Sequence, residues 1–120
     1  MNNYYIEDID AFREKVGEDN IKKWCDALRS GDYEQTKGEL YNENKDSYCC
    51  LGVAAKVLDE SIKLDYGLPL VKYHPISARI TDTAILQNEC FRRTFTLLND
   101  TYGLSFSQIA DIAEGKVVEV

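Results

Sequence analysis

The sequence predicts an α+β fold: a mostly helical single domain with a small antiparallel β-hairpin packed on the helices. Three observations predict it. Apolar residues recur at three- and four-residue steps in five separate segments, the period of a helix with one buried face. Two short strand-compatible runs flank the polar stretch 42–46 near the middle of the chain. The length of 120 residues supplies apolar volume for one core and too little for two, so residues 1–120 are read as one globular domain.

Ile6, Ile9, Phe12 and Val16 mark one face of an N-terminal helix that Gly17 ends. In the next helix Ile21, Trp24, Cys25 and Leu28 repeat at helical spacing, with Asp19 or Asn20 placed to cap its free backbone N–H groups. Ser30-Gly31-Asp32 breaks that helix. Residues 35–40 and 47–50 read as the two hairpin strands around the 42–46 loop. The period then returns to helical: Leu51, Ala54, Ala55 and Leu58 share a face that Val53 and Val57 widen, which suits a central helix.

Residues 61–82 hold both prolines, Pro69 and Pro75, and are expected to be irregular, with at most a short strand. Asp82 or Thr83 can cap a fourth helix, with a broad apolar face of Leu86, Cys90, Phe91, Thr94, Phe95, Leu97 and Leu98, stopping at Gly103. Ser105 and Gln108 have capping-box spacing ahead of a last helix striped by Phe106, Ile109, Ala110 and Ala113. Gly115 releases a tail, 116–120, of strand-like composition.

Charge and composition narrow the function classes. A hydrophobic content of 44% with 29% charged residues is that of a soluble globular domain rather than a disordered or fibrous chain. The net charge of −7 has the wrong sign for electrostatic attraction to DNA or RNA. No apolar run is long enough to span a bilayer, and Met1-Asn2-Asn3-Tyr4-Tyr5 is unlike an export signal, so a cytoplasmic location without membrane contact is expected. In that reducing compartment Cys25, Cys49, Cys50 and Cys90 stay thiols, with Cys25 and Cys90 in apolar helix stripes. Their spacing lacks the paired Cys-x-x-Cys ligands of structural zinc, so no metal is assigned.

Two groups of residues could carry chemistry. Cys49 and Cys50 sit where a strand runs into a helix N-terminus, whose free N–H groups favour thiolate and could hold an oxyanion. A cysteine-dependent hydrolase or transferase using Cys49 or Cys50 would need a base, and His74 is the one histidine. The plainer alternative has one cysteine in the core, the other under the hairpin, and His74 in a loop. The second group is Trp24, Arg29, Tyr33, Lys37, Tyr41 and Tyr48: aromatic rings can stack on a base while Arg29 and Lys37 meet phosphate. Against it, Trp24 belongs to a core stripe and strand tyrosines commonly serve packing. Arg92-Arg93 is read as ordinary, because Glu89 precedes Arg93 by four residues on one helix. Phosphate-loop, dinucleotide, nucleophile-elbow and zinc-protease motifs are missing, and no cofactor is expected.

Trp24, Ala27-Leu28-Arg29-Ser30-Gly31, Tyr33, Gln35, Gly38, Leu40 and Tyr48-Cys49-Cys50-Leu51-Gly52-Val53 form a further pattern when taken together. With Asn99-Asp100 and Phe106-Ser107-Gln108-Ile109-Ala110-Asp111 it resembles a family of small bacteriophage and prophage proteins. The resemblance covers about half of the chain, and it carries no catalytic residue over to this sequence. It implies a phage-encoded accessory protein in the bacterial host cytoplasm. Such a protein is expected to be a non-enzymatic binding module for a host protein or a small nucleotide-like ligand, acting against host defence. Arg29, Tyr33, Lys37 and Tyr48 are the ligand-binding positions on that reading. The cysteine enzyme is the alternative.

Overall fold

Three aromatic side chains from three helices meet at the centre of the fold. Phe95 receives Trp24 edge-on at 4.9 Å and Phe12 at 5.5 Å between ring centroids, and all three are fully buried. The structure, a computed structural model, describes residues 2–38, 41–42, 44–58 and 89–120. Among them the chain is α+β and mostly helical, as the periodicity predicts. The sequence expectations for 61–82, for the Asp82 or Thr83 cap and for Leu86 lie outside the described residues, as does His74.

The elements run β1 (Asn3–Tyr4), α1 (Ile9–Val16), α2 (Glu18–Arg29), β2 (Glu34–Gln35), β3 (Tyr41–Asn42), β4 (Ser47–Tyr48), α3 (Cys50–Leu58), α4 (Glu89–Thr96), a π-helical turn (Leu97–Thr101), α5 (Phe106–Ala113) and β5 (Val118–Glu119). Helix α1 buries Phe12 and Val16, and its N-terminus is capped by Asp8, whose Oδ1 accepts from the Ala11 N–H at 3.2 Å. Gly17, at φ 92°, separates α1 from α2. Helix α2 therefore starts at Glu18, earlier than a cap at Asp19 or Asn20 implies; the Asn20 amide instead donates back to the Val16 carbonyl at 2.9 Å. Helix α2 buries the predicted stripe of Ile21, Trp24, Cys25 and Leu28 against α3 and α5.

Helix α3 is the central one: residues 50–55 are all buried, because Gly52 and the two alanines let neighbouring elements approach closely. Trp24 Nε1 donates to the Cys50 carbonyl at 2.9 Å, tying α2 to the first turn of α3. Helix α4 buries a narrower face than its composition suggests. Phe95 and Leu98 are buried and Phe91 half-buried, whereas Cys90 and Leu97 stand beside that stripe and are exposed. Cys90 is thus not a core residue. The capping box of α5 forms as predicted, with Ser105 Oγ accepting from the Gln108 N–H and Gln108 Oε1 accepting from the Ser105 N–H.

The hairpin is displaced from its expected strands. Ser47–Tyr48 pairs antiparallel with Tyr41–Asn42, of which Asn42 is expected in the loop and Tyr41 in neither strand, and residues 34–35 join the other side of β4 in parallel. Two causes are visible. Tyr41 stacks on Tyr48 across the strands at 4.8 Å, and the Asn42 side chain accepts from the Lys45 N–H to close the turn. The Gln35 side chain is meanwhile drawn to Asn99 and Leu104. The tail strand β5 pairs antiparallel with β1, Tyr4 opposite Val118, an N-terminal strand with no periodic signal of its own. No described helix is long and apolar enough to cross a membrane.

Candidate functional site

The adjacent thiols occupy the junction of β4 and α3. Cys50 is fully buried and Cys49 nearly so. Cys49 Sγ accepts from the Gly52 N–H at 3.4 Å, and the Cys50 thiol donates to the Phe95 carbonyl at 3.5 Å. The helix N–H groups do act on Cys49, as expected from its position, but burial outweighs them and pushes its thiol up to about 12. Burial, reinforced by the electrostatic influence of the adjacent Cys49 and of Asp100, holds the Cys50 thiol well above its ordinary range. The expectation of a thiolate at this junction is therefore corrected. Both cysteines are packed as small apolar groups, and Cys25, whose thiol donates to the Ala110 carbonyl, is likewise pushed up to about 12 by burial.

The N-terminus of α3 is held by a residue that the sequence pattern includes without assigning it a role. Asn99, fully buried in the π-helical turn, accepts at Oδ1 from the Cys50 backbone N–H at 3.1 Å and from Gln35 Nε2 at 2.8 Å. Its Nδ2 donates to the Thr36 carbonyl at 2.8 Å and to Asp100 Oδ1 at 2.7 Å. Gln35 also donates to the Leu104 carbonyl. One amide thus joins β2, α3 and the π turn, and the wide backbone of that turn brings Asn99 inward.

The residues assigned to ligand binding are not gathered on one surface. Tyr48 is buried between Tyr33, edge-on at 5.2 Å, and Tyr41. Arg29 reaches across to α5, where Nη2 pairs with Asp111 and Glu114. Glu114, hydrogen-bonded to Arg29 and near Lys116, is held below the usual carboxylate range, and Arg29 is correspondingly raised, chiefly by its bond to Glu114. Lys37 is exposed and lies over Gly103, its Nζ 3.2 Å from where a β-carbon on that glycine would stand. Trp24 is in the core. The Tyr48 ring is thus already occupied by its two tyrosine neighbours.

A cleft of about 560 Å³ lies elsewhere, between the N-terminal segment and α4. Residues 3–8 form one wall, and Cys90, Phe91, Thr94, Leu97 and Leu98 of α4 and the π turn form the other, with Tyr102 beside Tyr4 at 4.9 Å between rings. Three large apolar side chains remain open to water there: Tyr5 at 53%, Tyr102 at 48% and Leu97 at 38% exposure. Among the described residues, the charged ones that line it are Glu7 and Asp8, both acidic. The sequence held a faint signal for this site, since Tyr4 and Tyr5 precede the first helical stripe and Tyr102 falls at a helix stop. No group of three or more histidine, cysteine or acidic side chains among the described residues could hold a metal.

Residues 18–68 match a family described as a domain of unknown function (DUF8296), a span that includes α2, the three-stranded sheet and α3. No curated protein and no solved structure matches the chain significantly.

Proposed function

We propose that this chain is a small phage-encoded accessory protein, a non-enzymatic binding module that works in the bacterial cytoplasm on a host protein and thereby blunts host defence. The observation that carries the binding reading is the cleft between residues 3–8 and α4, where Tyr5, Leu97 and Tyr102 leave large apolar surface in water. Aromatic side chains of this kind supply contact area at small entropic cost and are enriched where proteins bind one another. A protein partner fits this cleft better than a nucleotide-like ligand. Among the described residues its charged lining groups are carboxylates, which repel phosphate, and Arg29 is already engaged by Asp111 and Glu114. The buried thiols of Cys49 and Cys50 lend no support to a cysteine enzyme. The link to phages and to host defence rests on the sequence resemblance.

Native mass spectrometry in host lysate, run with wild type and with Leu97→Asp, tests the reading. A defined complex with one host protein, lost in the variant while its melting temperature is kept, is the expected result. A complex that survives Leu97→Asp, or thermal stabilisation by a nucleotide or signalling dinucleotide with no protein bound, overturns it.

A further inference from the structure

We infer that the occupant of the cleft is an extended, positively charged segment of the partner, which adds as a strand to the open edge of β1; the inference rests on the cleft reading above. The backbone sets this up. Asn2 and Val120 exchange both of their hydrogen bonds, N–H to O, at 2.9 and 2.8 Å. In an antiparallel ladder the next residue turns its N–H and C=O the other way, so Asn3, opposite Glu119, presents both groups away from β5. Strand β1 has β5 as its one neighbour among the described residues, and Asn2, Asn3 and Tyr5 are exposed.

This open edge coincides with the cleft. Every residue from Asn3 to Asp8 lines it, odd and even alike. Successive side chains on a strand point to opposite faces, yet Asn3 and Tyr4, the two residues of β1, both line the cleft, so the wall there includes the edge of the backbone and not one face of it alone. An incoming strand would bond to that edge and set alternate side chains against Tyr5, Leu97 and Tyr102, the usual division of labour in strand addition. Charge selects its sign. Glu7 and Asp8 stand at the end of the wall with no basic lining residue among the described residues, and the whole chain carries −7. Asp8 spends one oxygen on capping α1, which leaves Glu7 as the main partner for a lysine or arginine.

The probe is a blocked nonapeptide of alternating lysine and valine, followed by fluorescence anisotropy at low salt. It is compared with the glutamate–valine peptide and with the lysine–valine peptide methylated at every second backbone nitrogen. Binding of the lysine peptide is expected, with about tenfold loss for each comparison peptide and for Glu7→Lys, one such interaction being worth about 1.4 kcal/mol. Exchange of the Asn3 amide should slow in the complex. No binding of the lysine peptide, or equal binding of the methylated one, overturns strand addition. If Leu97→Asp still abolishes the host complex in that case, the cleft reading stands without it; if the host complex also survives Leu97→Asp, both fall.

Discussion

Asn99 caps helix α3 from a different part of the chain: its Oδ1 accepts the backbone N–H of Cys50, the first residue of that helix, at 3.1 Å. A helix N-terminus leaves its first N–H groups without internal partners, and here a side chain about fifty positions away supplies one of them. The same amide makes three further bonds, to Gln35, Thr36 and Asp100. Asn99→Ala leaves the Cys50 N–H and the Thr36 carbonyl without their side-chain partner in the interior. A loss of about 2–4 kcal/mol in urea unfolding is expected, with Gln35→Ala costing less because its site is only part-buried. A loss below about 0.5 kcal/mol for Asn99→Ala would show that the network carries no stability.

The three buried thiols make stability fall on the alkaline side. Cys25 and Cys49 are pushed from the ordinary 9.0 to about 12, and Cys50 is raised as well. Between those values the unfolded chain has lost protons that the folded chain keeps. Their contribution is therefore complete below pH 9.0 and disappears as the pH climbs towards 12, at up to about 1.4 kcal/mol per pH unit for each thiol. Cys25→Ala should flatten the slope between these limits relative to wild type. In native protein at neutral pH a thiol reagent should label the exposed Cys90 and reach the other three only on unfolding. Rapid native labelling of Cys49 would contradict this burial and restore the case for a reactive cysteine.

Much of the helical framework was legible because burial writes itself into periodicity. Ile21, Trp24, Cys25 and Leu28 are buried along α2 at the spacing seen in the sequence, and the Ser105–Gln108 box forms. What was not legible depends on contacts between distant residues. Two-residue strands such as β1 and β3 have no period, and their pairing is fixed by a partner strand or a ring contact. Cys90 and Leu97 look like members of the α4 stripe until Phe91, Phe95 and Leu98 define which face is inward. The candidate site followed the same logic. Local clustering of Arg29, Tyr33, Lys37 and Tyr48 was visible, but Arg29 is claimed by α5, more than eighty positions on, and Tyr48 by its neighbouring rings. The cleft joins residues 3–8 to residues 90–102 and could not be seen in any one window.

Arg29 clamps α2 to α5 through Asp111 and Glu114, side chains about one-third exposed. Exposure to solvent limits such a pair, so Arg29→Gln should cost about 1 kcal/mol at low salt and less at high salt. Glu114 is depressed in the folded state, first by its hydrogen bond to Arg29. A carboxylate with a lowered folded pKa stabilises the fold above its ordinary 4.5, and the benefit is lost as the pH falls through the folded value. Acid titration of stability should therefore show a shallower loss below 4.5 in Arg29→Gln than in wild type. An identical acid limb in the two proteins would mean that the pair is not formed in solution.

Gly115 connects α5 to β5, and through it the helical core to the strand pair that walls the cleft. Its N–H bonds to the Ile112 carbonyl, while the following Lys116 N–H reaches back to Asp111, a reversal that needs the positive φ of 93° found at Gly115. A β-carbon at this position would also stand 3.1 Å from Ile9 Cγ1 and 3.2 Å from Arg13 Nη2. Arg13 cannot give way freely, because the same Nη2 donates to the Glu114 carbonyl at 2.7 Å. Gly115→Ala thus meets two separate costs, backbone strain and crowding. Gly31→Ala isolates the first: Gly31 has φ 81° but open space around it. Gly31→Ala should lose about 1 kcal/mol and Gly115→Ala about 2–3 kcal/mol. Equal losses would show that Ile9 and Arg13 yield without cost. The excess in Gly115→Ala should be accompanied by faster amide exchange at Val120, whose bond to the Asn2 carbonyl holds β5 on β1 and keeps the wall of the cleft in place.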